Sequence, residues 1–282
     1  MPKIVNEEQA AFWEGMAPIW IDIEERIEGT ASEPGQAAMK ALRPQPGEKV
    51  LDLGCGTGGT SITLAGMVEP GGSVVGADIS AEMLVRARQR AQGSGTANVE
   101  FVHADVESED FGERTFDAGF SRFGVMFYSD PIKAFGNVRA SLRPGARLSF
   151  VCWQQIFANE WMMVPGMAVM SVTGTPPPMP AEGEPGPFSL SDPKHVQAVL
   201  ERAGYRDVEV APYNDWVVLP QSEIARYAGT SLLVGAAREA LKEADDATRA
   251  KAAEAVAGAL REKLSDGEVR LTRGYLVVTA SA

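Results

Sequence analysis

The chain has 282 residues, enough to bury one sizeable core, or one core with a small cap. Its 38 acidic residues against 26 basic ones leave a net charge of −12, which disfavours nucleic-acid backbones and anionic membranes as partners and favours a small acceptor. Two cysteines, Cys55 and Cys152, stand outside any C-x-x-C or metal-ligand spacing, and the two histidines are too few for a histidine-rich site. No bound metal is therefore expected, and a reduced, cytoplasmic setting is the simplest reading. No stretch has the 18 apolar, uncharged residues of a membrane span, and the acidic N-terminus lacks an apolar signal region.

From the N-terminus, Ala10, Trp13, Ala17, Trp20 and Ile21 recur at three- and four-residue intervals. They predict helix over 7–28, split or kinked at Pro18. Residues 1–34 read as a helical lid, which either covers the sheet edge or closes over a ligand. A second helix is expected over 35–43, stopped by Arg43-Pro-Gln-Pro-Gly47. Val50-Leu-Asp-Leu53 is a buried strand that runs into Gly54, Gly56, Gly58 and Gly59, with helix following to about 68. Strand, glycine turn and helix open a nucleotide-binding α/β sheet. The glycines alone also fit a dinucleotide site. Asp52 separates the two, because a carboxylate there repels a pyrophosphate on the turn and attracts an ammonium group. Asp78 ends a second strand, Ser73-Val-Val-Gly-Ala-Asp78, where a carboxylate accepts bonds from ribose hydroxyls. Ribose plus ammonium without phosphate describes S-adenosylmethionine.

Leu51-Asp-Leu-Gly-Cys-Gly-Thr-Gly58 resembles the first motif of the class I S-adenosylmethionine-dependent methyltransferases. Gly76-Ala-Asp-Ile-Ser80 is similar to their ribose motif, and His103-Ala-Asp-Val106 to their adenine motif. Phe116–Phe123 and Leu142–Leu148 resemble the fourth and fifth strand regions. The resemblance covers roughly 40–152 and points to the small-molecule branch with the ubiquinone and menaquinone C-methyltransferases. It implies a Rossmann-like, seven-stranded, mostly parallel sheet with an antiparallel last strand, helices on both faces and a mainly helical cap. It also implies a cofactor site built from Asp52, Gly54, Cys55, Gly56, Gly58, Asp78, Ile79, Met83, Asp105, Val106 and Ser121; on the lid reading of the N-terminal helix, Trp20 joins it near the methionine end.

Along the core, Ser80 caps a helix over 81–92 whose first turn holds Met83, either backing adenine or filling the core. Strand three is Val99–His103, and Asp105 follows it. The Asp105 carboxylate suits the adenine amino group and the Val106 N–H a ring nitrogen. His103 is read as structural, since it lies within the strand. Strand four, Phe116–Phe120, leads into Ser121–Tyr128 at the ligand-bearing end of the sheet. Arg122 pairs with a carboxylate of the cofactor or the acceptor, or forms an outward salt bridge. Phe123, Phe127 and Tyr128 wall an acceptor pocket or pack the sheet. Pro131 starts a helix to Leu142, and strand five is Ala146–Trp153.

Two excursions, 154–190 and 212–266, are expected to form a cap or acceptor-binding surface on one domain whose cofactor core is 35–153. The sheet is completed by 191–211 and 267–282. Trp153, Gln154, Trp161 and Met162 join the acceptor-pocket candidates. Helix is expected over 193–202 and 222–234, and the 238–264 segment carries an apolar stripe of Val256, Leu260 and Leu264. Asp245 and Arg249 are spaced to pair. The predicted strands six and seven are 205–210 and 268–279. Tyr128 and His195 are the weak candidates for a catalytic base. The reading is methyl transfer to a small, partly apolar acceptor. A nicotinamide-dependent oxidoreductase and a non-catalytic S-adenosylmethionine-binding interaction protein stand as alternatives.

Overall fold

The structure, a computed structural model, describes residues 3–176 and 184–282. Two helices, α1 (Glu7–Asp22) and α2 (Glu24–Leu42), come first. Then follow β1 (Lys49–Leu53), α3 (Gly59–Met67), β2 (Ser73–Asp78), α4 (Ala81–Ser94), β3 (Val99–His103), β4 (Phe116–Arg122), α5 (Pro131–Ser141) and β5 (Leu142–Trp153). The remainder comprises α6 (Glu160–Thr173), α7 (Pro193–Arg202), β6 (Arg206–Pro220), α8 (Ile224–Ser231), α9 (Gly235–Ala240), α10 (Asp246–Arg261), β7 (Leu264–Ser265) and β8 (Glu268–Ser281).

The strands form one sheet in the order β3-β2-β1-β4-β5-β8-β6, with the two-residue β7 beside β8. The strands β1 to β5 pair parallel and β8 runs antiparallel to β5, as the Rossmann-like reading expects. Strand order reverses between β1 and β4, and such a reversal opens a crevice at the carboxyl ends of both strands. The central strands are buried along nearly their whole length, which is why β1 reads as a continuous apolar run rather than an alternation. Local signals start the helices. The Ser80, Asp130 and Asp192 side chains each accept a backbone N–H from the first turn of α4, α5 and α7.

The helical N-terminus differs from expectation. Pro18 lies inside α1, and the break falls at the buried Ile23. Burial of Met16 and Ala17 beside Pro18 holds the helix through the residue that lacks an N–H. Helix α2 then runs unbroken past Pro34, so the boundary expected at 34/35 lies within a helix.

The chain divides into two compact units. The first comprises 1–153, 183–212 and 275–282, and the second 154–182 and 213–274. In the first, Phe120, Phe135, Phe150, Leu51, Leu53 and Leu148 are among the fully buried side chains. The second gathers α6, α8, α9 and α10 around Val169, Leu241, Val256, Leu260 and Leu271. The stripe read at Val256 and Leu260 is thus core. One expectation for the excursions changes. Strand β6 reaches Pro220 rather than ending near 210; the 238–264 segment takes in the end of α9, all of α10 and the start of β7. Asp245 does not pair with Arg249: it caps α10 through the Thr248 N–H, and Arg249 donates to the Ala244 and Leu241 carbonyls. Residues 177–183 of the first excursion lie outside the described residues.

Candidate functional site

The site starts where β1 turns into α3. Asp52 is buried, and its Oδ2 accepts from Thr60 Oγ1 at 2.7 Å and Ser61 Oγ at 2.6 Å, both in the first turn of α3. Its Oδ1 takes no bond from a described residue. Burial pushes the Asp52 carboxyl up to about 6, although the two hydroxyls and the Arg122 charge pull the other way. Gly54 adopts φ +65°, and a Cβ there would stand 2.8 Å from the Gly124 Cα. The loops leaving β1 and β4 therefore meet backbone to backbone, an approach only glycine permits. At Gly56, φ +55°, a Cβ would meet only the Met83 Sδ at 3.7 Å. Gly58 caps α3 with a left-handed backbone. The buried Cys55 thiol is pushed well above its ordinary range by burial and by Asp78 and Asp52, so it carries no nucleophile.

Asp78, at the end of β2, accepts the Gly56 N–H at 2.7 Å on Oδ2 and the Ser80 N–H at 2.9 Å on Oδ1. One carboxylate thus fixes the glycine turn and the start of α4, and each oxygen keeps a lone pair. Burial raises its pKa against those bonds. Met83 is buried in the first turn of α4 and Ile79 is half-buried before it. The His103 ring meets the Ile79 carbonyl at 3.0 Å, the structural role expected of it. Beyond β3, Asp105 is buried and accepts the Glu107 N–H on Oδ1 at 3.0 Å. The neighbouring Val106 N–H has no partner among the described residues.

The N-terminal helices contribute polar groups that sequence reasoning missed. The Val5 and Asn6 N–H groups donate to Asp105 Oδ2 at 2.9 and 2.8 Å. Asn6 Nδ2 also reaches the Phe127 carbonyl at 3.4 Å. Glu14 accepts from Ser80 Oγ at 2.7 Å. Glu28 pairs with Arg122 at 2.6 Å and with Arg90 at 3.3 Å. Burial disfavours the charged Glu28, but the two arginines outweigh it and hold its pKa below the usual value. Trp13 packs edge-on against Phe127 at 4.8 Å and against Trp20 at 5.4 Å. Trp20 thus joins, with Phe12, an aromatic group that reaches Phe127 through Trp13.

At the end of β4, Ser121 is fully buried and donates to the Leu53 carbonyl at 2.7 Å. Arg122 is paired with Glu28 of the chain itself, a partly buried salt bridge, where the expectation had a ligand carboxylate or an outward pair. Phe123 has φ +63° and stacks on Trp153, with ring centroids 3.7 Å apart and planes 15° apart. The two base candidates are poorly placed. The Tyr128 hydroxyl is sealed from solvent without a partner among the described residues, and burial, Tyr205 and Glu107 push its pKa well above 10. His195 is exposed in the first turn of α7.

The other acceptor candidates belong to the second unit. Gln154 Nε2 donates to the Tyr213 carbonyl at 2.8 Å. Trp161 packs against that unit's own core, and its Nε1 donates to Asn159 Oδ1 at 3.0 Å. Met162 is half-buried in α6. This unit holds a cleft of about 270 Å³ lined by Phe157, Ala158, Asn214, Asp215, Trp216 and Thr272, none of them foreseen as acceptor wall.

The glycine turn, the three carboxylates and the strand reversal now stand together. Residues 50–145 match the family model described as a methyltransferase domain. A demethylmenaquinone methyltransferase of Clavibacter sepedonicus is 39% identical over 112 residues, covering 40% of this chain and 44% of that protein. One from Listeria welshimeri is 32% identical over 126 residues, covering 45% and 53%. An uncharacterised 37.1 kDa protein in a Streptomyces fradiae transposon is 37% identical over 110 residues, covering 39% of the chain and 31% of its own length. The chain thus spans about a third to a half of these relatives' own lengths. Among solved structures, the YcgJ protein of Bacillus subtilis aligns with a TM-score of 0.58 at 16% identity, covering 89% of this chain and 98% of that one. A phosphoethanolamine N-methyltransferase of Haemonchus contortus aligns at 0.53 and 18% identity, covering 88% and 52%. These structural likenesses establish the shared fold.

Proposed function

We propose that the chain is an S-adenosylmethionine-dependent methyltransferase acting on a small, partly apolar molecule. The carrying observation is that the carboxyl ends of the neighbouring strands β1, β2 and β3 each lead to a buried carboxylate, Asp52, Asp78 and Asp105, and that Asp78 holds the glycine turn through the Gly56 N–H. The groups present fit that cofactor. The idle Asp52 Oδ1 suits its ammonium. The remaining lone pairs of Asp78 suit the ribose hydroxyls, and the idle Val106 N–H suits an adenine ring nitrogen. A nicotinamide dinucleotide fits worse, because Asp52 lies beneath the turn that would carry its pyrophosphate.

The bound cofactor supplies a methyl group on a sulfonium, which is already a good leaving group. The chain's residues hold that end, orient it toward the acceptor and exclude water. Among the described residues, the Tyr128 hydroxyl and both cysteine thiols are driven toward their neutral forms and are poor bases at neutral pH. An acceptor that reacts through its own lone pair needs no such base. Phe123 on Trp153 and Phe127 against Trp13 offer apolar walls near the end of β4. The demethylmenaquinone methyltransferases among the relatives place an apolar ring among the acceptors to try first. The net charge of −12 disfavours nucleic acid as acceptor. Among the described residues no helix is long and apolar enough to cross a membrane, and a cytoplasmic location is proposed.

Calorimetric titration with S-adenosylhomocysteine and with NADH tests the assignment. Saturable binding of the first alone is expected. Binding of NADH without response to the sulfur nucleoside overturns it in favour of an oxidoreductase.

A further inference from the structure

Helix α3 begins at Gly59, directly after the glycine turn. It has no acid in its first turn, and its cap Gly58 offers no side-chain acceptor. The partial positive charge at its N-terminus is therefore not answered by its own sequence. The answering carboxylate comes from α2. A Cβ at Gly59 would run into Glu28 Oε1 and stand 3.2 Å from Arg90 Nη2, so only a glycine leaves room for this pair. Glu28 Oε1 accepts from Arg90 Nη1 at 3.3 Å, and its Oε2 accepts from Arg122 Nη1 at 2.6 Å. One carboxylate thus bridges two guanidinium groups beside the turn.

Both arginines are tied to the site independently of Glu28. Arg90 Nη1 also donates to the Thr57 carbonyl at 3.2 Å and to Thr57 Oγ1 at 2.8 Å, inside the turn. Arg122 stands two residues beyond Phe120, the register partner of Asp52 on the neighbouring strand. Alternation therefore puts Asp52 and Arg122 on one face of the sheet. Burial raises the Asp52 carboxyl, and Arg122 is among the groups that draw it back down. An α-amino acid carries an ammonium and a carboxylate on one carbon. An acid with an arginine beside it matches both charges. Glu24, one turn before Glu28, pairs with Arg86 and lies 3.9 Å from Arg90, so α2 has an ionic anchor on α4 that does not depend on Glu28. The cradle is also reachable, since the Arg122 and Glu28 side chains are 16% and 29% exposed.

We infer that Glu28 is a tethered competitor for the carboxylate of the cofactor's methionine end: both claim the Arg122 and Arg90 guanidinium groups, so Glu28 must yield them on binding and thereby sets the selectivity for ligands that carry a carboxylate. Two carboxylates in one cradle repel each other, so the two occupants exclude one another. A group held on α2 competes at a high effective concentration, which lowers the affinity that the arginines would otherwise give. This rests on the methyltransferase reading of the site.

The test is calorimetric binding of S-adenosylhomocysteine and of decarboxylated S-adenosylhomocysteine, which keeps the nucleoside and the ammonium, to the full chain. Wild type is compared with Glu28→Gln, close in shape but uncharged, and with Arg122→Met, with circular dichroism to check the fold. Wild type is expected to prefer the ligand with the carboxylate. That preference, the ratio of the two dissociation constants, should grow about tenfold in Glu28→Gln and shrink about tenfold in Arg122→Met. Glu28→Gln carries the test alone should Arg122→Met fail to fold. A ratio within about twofold of wild type in a folded variant would show that the ion pair only fastens α2 and would overturn the inference. A wild type that binds the two ligands equally also overturns it, yet leaves the methyltransferase reading standing. A wild type that binds neither removes both.

Discussion

Asp52 gives the most pointed prediction, because its two roles respond to one substitution in opposite directions. Its carboxyl is fully buried and is raised from an ordinary 3.8 to about 6, chiefly by burial. Between those values the native chain binds more protons than the unfolded one, so this group's contribution to stability falls as pH rises from about 4 through about 6. The gap corresponds to about 3 kcal/mol lost by neutral pH. An asparagine amide in its place would keep an oxygen for the Thr60 and Ser61 hydroxyls and carry no charge to desolvate. In Asp52→Asn, the stability difference from wild type should therefore grow by up to about 3 kcal/mol in the variant's favour between pH 4 and pH 7.5. The same variant should bind S-adenosylmethionine about tenfold or more weakly, because the ammonium loses its counter-charge. Urea unfolding at the two pH values, beside calorimetry at pH 7.5, measures both. A variant that is less stable at pH 7.5 by the same margin as at pH 4 would refute the burial argument. Unchanged cofactor affinity would refute the placement.

Asp105→Ala removes the acceptor for the Val5 and Asn6 N–H groups, so hydrogen exchange over α1 should rise by an order of magnitude or more while the sheet stays protected. Arg122→Met leaves Glu28 with Arg90 alone in a half-buried place and should lower stability by about 1–3 kcal/mol, read by urea unfolding. Gly54→Ala forces a Cβ against the Gly124 backbone at a left-handed φ. It should lower stability by about 2 kcal/mol or more and weaken cofactor binding with it. Trp161→Ala empties a place in the second unit's core and should cost about 3–5 kcal/mol there while leaving S-adenosylhomocysteine affinity within about twofold.

The parts of the site legible in the sequence are those encoded locally. Val50–Leu53, the glycines and Asp78 signal strand, turn and carboxylate within one βαβ unit, and Ser80 and Asp130 mark helix starts by composition alone. What stayed hidden comes from far along the chain. The Val5 and Asn6 donors to Asp105 lie about 100 residues from it, and Glu28 is 94 residues from Arg122. A surface-looking acid such as Glu28 carries no local mark of an ion pair beside a glycine turn. The α1–α2 break was misplaced because tertiary burial around Met16 and Ala17 overrode the proline rule.

Transfer of an isotopically labelled methyl group from S-adenosylmethionine tests the central claim most directly. The full chain is incubated with a panel of phenols, quinol precursors, amines, thiols and carboxylates, alongside nucleic-acid and peptide controls, and the products are read by mass spectrometry. The label is expected on a small, partly apolar acceptor, with stoichiometric S-adenosylhomocysteine and a rate that falls in Asp52→Asn. Label found only on nucleic acid or protein, or no transfer from a cofactor that binds tightly, would contradict the account.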